Sequence, residues 1–125
     1  MRNLITFVLG FFLALQLIAQ GNVNIQNVWK QTYLQSEVGK PSLGVQSNKS
    51  AWVIEKIANS TEVRLKHVAS GGYLNAEKDA RIPATGAIEP GWWSAIWILE
   101  PIAGSDQLRI KNKWRETYLD RKSVV

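Results

Sequence analysis

The chain has 125 residues, no cysteine, one histidine and a formal net charge of +5. The length suits a single domain. Without cysteine there are no disulfides or thiolate zinc sites, and one histidine excludes a multi-histidine metal centre. Lys and Arg are interleaved with Asp and Glu rather than clustered, so the charge pattern gives no reason to expect a nucleic-acid partner.

The beginning of the chain has the features of a secretory signal peptide. Residues 1–3 form a short positive start, residues 4–18 are almost wholly apolar, and residues 19–21 include small side chains suited to cleavage. The apolar run is shorter than the roughly 20 residues of a spanning helix. We therefore expect a signal helix within residues 1–21, a secreted, periplasmic or extracellular location, and no membrane association after cleavage.

An internal repeat organises the rest of the chain. Residues 24–34 align without gaps on residues 109–119, and residues 64–74 are a third copy. Residues 52–58 align on residues 97–103 at an offset of 45, which also relates the second and third copies. Two alignments in one frame indicate a real repeat with a period of about 40–45 residues.

Each repeat has the pattern of β-strands joined by turns. Residues 63–66 and 108–111 alternate apolar and charged side chains, the period of a half-buried strand. Residues 52–55 and 97–100 are aromatic and β-branched runs of strand length. No sustained helical stripe follows the signal segment, so we predict an all-β domain.

Three such repeats resemble a β-trefoil, and their residues resemble the ricin-B-like lectin branch of that fold. The resemblance is carried by Tyr-Leu-x-x-Glu at residues 73–77, by the Trp that closes each unit, and by residues 89–97, which resemble the closing segment of secreted bacterial ricin-type modules. It implies a non-catalytic module with a carbohydrate partner and no cofactor or metal. We place the domain at residues 22–119.

The three units have different extents. We assign residues 22–62 and 63–107 to two full units and residues 108–119 to an incomplete third, since its closing Trp would fall beyond the last residue. Residues 120–125 read as a non-native tail, with a natural divergent C-terminus as the alternative.

The incomplete unit has a consequence for folding. Ile110, Trp114 and Leu119 are expected to lack partner strands on their apolar sides. Residues 21–125 alone are therefore expected to aggregate or stay partly unfolded.

The sequence departs from the family pattern at the closing tryptophans. Units of this family often close with Gln-x-Trp, but here Ser50 and Ala95 precede Trp52 and Trp97 by two residues. The Trp can keep its packing role, whereas the polar contact of the Gln beside the sugar is lost.

The resemblance also implies ligand-binding residues. In ricin-type units a polar residue after the central strand accepts sugar hydroxyls, a loop aromatic stacks on the ring, and a polar residue before the closing Trp assists. Carried over by position, with the Glu of the Tyr-Leu-x-x-Glu motif, the carbohydrate-binding set is Asn75, Glu77, Trp92, Trp93, Ser94 and, in the first unit, Gln35.

The tryptophans differ in their expected roles. Trp52 and Trp97 match each other within apolar runs, so we predict that both are core residues. Trp29 and Trp114 recur beside charged residues, which leaves packing and ligand contact both open. Residues 92–93 are two adjacent Trp, and neighbours on a strand face opposite ways, so one of them could be buried and the other available to a ligand.

Catalysis is not expected. His67 occupies the position of Asn27 and Asn112 in the other copies, which favours a structural hydrogen-bonding role over a general base. Neither a nucleophile elbow nor a phosphate loop is present in the sequence. The leading hypothesis is therefore a secreted lectin-like module. The alternatives are a protein–protein interaction or inhibitor β-trefoil, and the carbohydrate-targeting N-terminal part of a longer secreted enzyme.

Overall fold

The computed structural model describes residues 21–79 and 83–119, together with the backbone of two short strands before them. These residues form eleven strands and one 3₁₀ turn at Trp93–Ala95. None of them forms a helix long and apolar enough to cross a membrane. The strands are β1 (Ile5–Leu9), β2 (Phe12–Leu13), β3 (Val23–Asn27), β4 (Tyr33–Glu37), β5 (Lys40–Gly44), β6 (Ala51–Lys56), β7 (Glu62–His67), β8 (Tyr73–Asn75), β9 (Ala84–Gly86), β10 (Trp97–Pro101) and β11 (Leu108–Asn112).

The repeat seen in the sequence is a repeat of the fold. Strands β3 to β6 make the first unit, β7 to β10 make the second, and β11 opens a third. The outer strands of successive units pair in the order β11-β10-β7-β6-β3, while the hairpins β4–β5 and β8–β9 branch from this path. The protein is therefore all-β and β-trefoil-like, as predicted, with two full units and the opening of a third among the described residues.

The two closing tryptophans lie in the core. Trp52 and Trp97 are 0% and 2% exposed. Each indole N–H donates to a backbone carbonyl of the central hairpin of its own unit, Trp52 to Leu34 at 3.0 Å and Trp97 to Leu74 at 2.9 Å. Both side chains are thus buried without an unsatisfied polar atom, and the predicted core role is confirmed.

His67 and Asn112 make equivalent hydrogen bonds in successive units. The Nε2 atom of His67 lies 2.7 Å from the carbonyl oxygen of Lys49, and Nδ2 of Asn112 donates to the carbonyl oxygen of Ser94 at 2.8 Å. Both side chains are buried. The histidine is a structural hydrogen-bonding residue, as its exchange with Asn predicted.

The N-terminal segment differs from the expected helix. Ile5–Leu9 forms β1, which pairs in parallel with β3, and β2 pairs with β1. An apolar segment rich in β-branched and aromatic residues suits a strand, and the outer edge of β3 offers unpaired backbone groups. The other residues before Gly21 lie outside the described part of the chain, and cleavage of a signal peptide stays a prediction.

The third unit is better covered than expected. Ile110 and Leu119 are both buried, whereas Trp114 is exposed. The N–H of Leu119 donates to the carbonyl of Ile110 at 2.8 Å, and the backbone of β1 lies near that of β11. The expectation of bare apolar sides is therefore wrong for Ile110 and Leu119. Aggregation of residues 21–125 alone stays a prediction, since that fragment lacks β1, and residues 120–125 lie outside the described part.

Candidate functional site

The segment that carries the paired tryptophans is a turn rather than a strand. The N–H of Trp92 donates to the carbonyl of Glu89 at 3.0 Å, and the N–H of Ala95 donates to the carbonyl of Trp92 at 3.2 Å. Residues 90–91 are Pro-Gly, which favours a turn and opposes an extended run. The expectation of two neighbours alternating on a strand is therefore wrong, although the two side chains do differ: Trp93 is 55% exposed and Trp92 is partly buried.

An open cleft of about 390 Å³ lies where the second unit meets the turn that follows β11. Four of the six residues predicted from the sequence line it, together with a glycine of the second unit and a tryptophan of the third unit. The lining residues are Glu77, Gly91, Trp92, Trp93, Ser94 and Trp114. The cleft therefore combines a carboxylate, a hydroxyl and three indole rings.

The polar side of the cleft is a hydrogen-bonded pair of side chains. The hydroxyl of Ser94 donates to Oε1 of Glu77 at 2.7 Å, and the N–H of Ala76 donates to the carbonyl of Ser94 at 2.9 Å. Ser94 is buried and Glu77 is half-buried. The carboxylate is thereby oriented while part of it remains open to the cleft.

Asn75 lies behind the cleft instead of lining it. Its side chain is buried, its Nδ2 donates to the carbonyl of Tyr73 at 3.2 Å, and its Oδ1 accepts the N–H of Glu77 at 3.2 Å. The structure thus gives Asn75 a role in positioning Glu77. The predicted Gln35 lies in the first unit, away from this cleft, and its Nε2 donates to Oγ of Ser42 at 3.4 Å.

The turn after β11 brings Trp114 to the cleft. Oδ1 of Asn112 accepts the backbone N–H groups of Trp114 at 3.1 Å and Arg115 at 2.9 Å. Arg115 then reaches the second unit, donating to the carbonyl oxygens of Ala76 at 3.1 Å and Glu77 at 2.9 Å. Its guanidinium also lies 4.2 Å from the centre of the Trp114 ring, so one side chain fixes both the turn and the indole.

The other indole wall is also braced by a cation. The ammonium of Lys113 lies 4.3 Å from the ring centre of Trp93 and forms an ion pair with Glu62 at 3.0 Å. Neither Lys113 nor Arg115 is among the lining residues of the cleft. Both indole rings that line the cleft are therefore in contact with a cation of the protein.

Sequence reasoning missed part of this site. It left Trp114 open between packing and ligand contact, and it did not identify Gly91 or Arg115. The recurrence of Trp at positions 29 and 114 was the available signal. What the sequence lacked was the register that places the third unit's turn against the second unit.

The strand order and the cleft define a β-trefoil with a candidate carbohydrate-binding site, and the comparisons with known proteins agree on the fold. No protein-family model and no curated protein sequence matches the chain. Among solved structures, the chain is similar to part of the GlcNAcα1-4Gal-releasing endo-β-galactosidase from Clostridium perfringens, with a TM-score of 0.66 and 28% identity. The match covers 76% of this chain and 24% of the enzyme chain, so the chain spans about a quarter of that protein.

Two further structures support the same fold. One is ThreeFoil, a designed three-fold symmetric protein, with a TM-score of 0.63, 15% identity, and coverage of 72% of this chain and 71% of that chain. The other is the Polyporus squamosus lectin, solved with the epitope Neu5Acα2-6Galβ1-4GlcNAc, with a TM-score of 0.56, 20% identity, and coverage of 95% and 40%. The predicted resemblance to ricin-B-like β-trefoil lectins is confirmed at the level of the fold.

Proposed function

We propose that the protein is a secreted, non-catalytic carbohydrate-binding module that holds a sugar ring in the cleft between Trp93 and Trp114. The observation that carries the proposal is the convergence of these rings with Glu77 and Ser94, from separate parts of the chain, on one open cleft.

The groups in the cleft match the chemistry of a sugar. A pyranose has an apolar C–H face that packs on an aromatic ring, and Trp93 and Trp114 are 55% and 46% exposed. Its hydroxyls need fixed acceptors and donors, which Glu77 and Ser94 provide from a hydrogen-bonded pair. Because Arg115 and Asn75 hold the backbone around Glu77, little reorganisation is needed on binding.

The comparisons lend support of two different strengths. The Clostridium perfringens protein acts on a sugar chain and shares 28% identity with this chain over the matched part. The Polyporus squamosus lectin was solved with a bound glycan, but at 20% identity it supports the fold alone. The sugar-binding role of this chain therefore rests mainly on its own cleft.

A second candidate is the targeting part of a longer secreted enzyme. The observation that favours it is the match to 24% of the chain of an endo-β-galactosidase. In that arrangement the cleft would keep its binding role, and the catalytic residues would belong to another part of the protein. Sequencing of the transcript beyond codon 119 tests this candidate.

A glycan array probed with the full chain tests the proposed function. We expect binding to a defined set of glycans, and a loss of about tenfold or more in affinity for Trp93→Ala and for Trp114→Ala, since each removes a stacking surface. The matched control is Trp29→Ala, which removes an exposed Trp at the repeat position of Trp114 but outside the cleft. Its binding and its Tm should stay close to those of the parent.

Three results would contradict the proposal. Binding to no glycan would exclude the lectin role and favour the protein-interaction alternative. A loss of binding in Trp93→Ala that occurs only together with unfolding would show that the ring is structural. Release of a sugar product from a bound glycan would show that the protein is catalytic.

A further inference from the structure

We infer that the cleft prefers a sugar that carries a protonated primary amine, a 2-amino-2-deoxyhexose, over its N-acetylated and unsubstituted counterparts. This inference rests on the proposed function and names the ligand class of the same site. It follows from the carboxylate of the cleft, from a lysine ammonium of the chain at the equivalent place in the first unit, and from the number of indole rings.

The carboxylate of the cleft has no ion-pair partner within the described part of the chain. Glu77 is the one charged side chain among the lining residues. Within the described part of the chain its carboxylate has one side-chain partner, the neutral hydroxyl of Ser94 at 2.7 Å. Arg115 lies nearby but donates to the backbone carbonyl of Glu77, not to its carboxylate. A ligand cation in the cleft would therefore meet a carboxylate with no competing ion pair.

In the first unit an ammonium group of the chain lies beside the equivalent carboxylate. Glu37 occupies the position of Glu77, and Lys49 occupies the position of Ser94. There the ammonium of Lys49 lies 2.9 Å from the carboxylate of Glu37. In the second unit the neutral hydroxyl of Ser94 donates to Oε1 of Glu77 in place of an ammonium, so the carboxylate keeps its full charge and its other oxygen for an ammonium from a ligand.

The indole rings add a second attraction for a cation. Trp92, Trp93 and Trp114 all line the cleft, and the face of an indole ring attracts ammonium groups. Lys113 and Arg115 already lie 4.3 Å and 4.2 Å from the centres of the Trp93 and Trp114 rings, so a ligand cation would use the remaining indole surfaces, including Trp92. A carboxylate together with several aromatic faces is the arrangement by which proteins recognise amines.

The six methyl glycosides of glucosamine, N-acetylglucosamine, glucose and their galacto counterparts test the inference by calorimetry with the full chain. At about pH 6 the amine, with a pKa of about 8, is protonated. We expect one amine glycoside to bind about tenfold more tightly than its N-acetylated and unsubstituted counterparts, by ion pairing and cation–π contact. The difference should shrink at high salt, because screening weakens partly exposed charge pairs.

Two variants assign the preference to a residue. Glu77→Gln should bring the three compounds of a series to similar Kd values, whatever their absolute affinity. Glu37→Gln removes the equivalent carboxylate of the first unit, where Lys49 already neutralises it, and should leave the preference unchanged. Thermal melts of both variants show whether the fold is intact.

Each possible result of the calorimetry either supports or overturns the inference. Equal binding of amine and neutral compounds, tighter binding of the N-acetylated compounds, or a preference that survives Glu77→Gln overturns the inference. If neutral glycans still bind on the array, the proposed function stands without it. Failure of all six compounds to bind also overturns it, and an empty array then removes the proposed function too.

Discussion

The two places where one unit meets the turn of the next share backbone hydrogen bonds and differ in their side chains. At the first junction, residues 37–50 meet the turn at residues 67–72. At the second, residues 76–77 and 91–96 meet the turn at residues 112–117. The fold repeats from one junction to the next, whereas the candidate binding groups occur at the second junction. The residues that determine the β-trefoil fold are therefore different from those that form the candidate site.

The shared part of the junctions is a set of equivalent hydrogen bonds. The N–H of Val68 donates to the carbonyl of Ala51 at 3.0 Å, and the N–H of Lys113 donates to the carbonyl of Ile96 at 2.9 Å. These four residues are related in pairs by the offset of 45 residues. The turn of each following unit is therefore held against the preceding unit in the same way.

The side chains at equivalent positions differ in the groups that a ligand would contact. Asn48 stands at the position of Trp93, and Ala69 stands at the position of Trp114. The first junction thus has neither indole wall. The second unit also has five more residues between its carboxylate and its closing Trp. By strand register, two of them belong to the β8–β9 hairpin and three to the segment with Gly91 between β9 and Trp97.

The largest effect should come from the core residues that both units share. Trp52→Ala and Trp97→Ala should each lower the free energy of unfolding by about 3–5 kcal/mol, since each removes a buried indole and its hydrogen bond. Urea titration of both variants measures the loss. The exposed Trp29→Ala should change stability by no more than about 0.5 kcal/mol. A much smaller loss for one buried Trp would show that the two units are not equivalent.

Much of this comparison could be predicted from the sequence. Local alternation and the repeat spacing were enough for the all-β fold, for the burial of Trp52 and Trp97, and for the structural role of His67. These features depend on patterns within one unit or on equivalence between units. Four cleft residues were also found: Trp92, Trp93 and Ser94 lie in a segment that resembles a known closing loop, and Glu77 ends the Tyr-Leu-x-x-Glu motif.

Other features depend on contacts between distant segments, which the sequence does not reveal. The approach of Trp114 and Arg115 to the second unit requires the register of β10 and β11. The burial of Asn75 follows from its local hydrogen bonds with Tyr73 and Glu77, which a positional match cannot distinguish from a ligand contact.

Transfer of the missing groups to the first junction should create a second, weaker site. The triple variant with Asn48→Trp, Lys49→Ser and Ala69→Trp supplies both indole walls and frees Glu37 from its ion pair. We expect calorimetry to report two ligands per chain, the new one with a Kd near 1 mM, worth about 4 kcal/mol. The control is Lys49→Ser alone, which should bind one ligand. A triple variant that folds and still binds one ligand would mean that the longer loop around Gly91 is indispensable.

A smaller effect is expected at the hairpin tip beside the first junction. Val38 and Gly39 form the two-residue connection between β4 and β5, with φ values of 53° and 76°. Such turns favour Asn-Gly, and a β-branched residue at positive φ is strained. Val38 is 91% exposed, so little packing would be lost on substitution. Val38→Asn should therefore raise the free energy of unfolding by about 1 kcal/mol.

The control for this change lies in the same turn. Gly39→Ala places a Cβ at positive φ and 3.2 Å from the carbonyl oxygen of Thr85, so it should destabilise the protein. A Val38→Asn variant with a Tm equal to or below that of the parent would show that the turn is not strained.

The smallest effect is a pH dependence of the free energy of unfolding that comes from Tyr73 in β8. The hydroxyl of Tyr73 donates to the carboxylate of Glu55 at 3.0 Å, and burial, with this hydrogen bond and the charge of Glu55, raises the pKa of Tyr73 above its ordinary value of 10.0. The unfolded chain therefore loses the phenolic proton at lower pH than the folded chain does. The stability that Tyr73 contributes is complete below about pH 10 and declines as the pH rises through its folded pKa.

Urea titrations between about pH 8 and 11 should show a steeper loss of stability for the parent than for Tyr73→Phe. Lysine ionisation acts alike on both proteins and cancels in the difference. Parallel curves for the parent and Tyr73→Phe would show that the bond to Glu55 does not persist in solution.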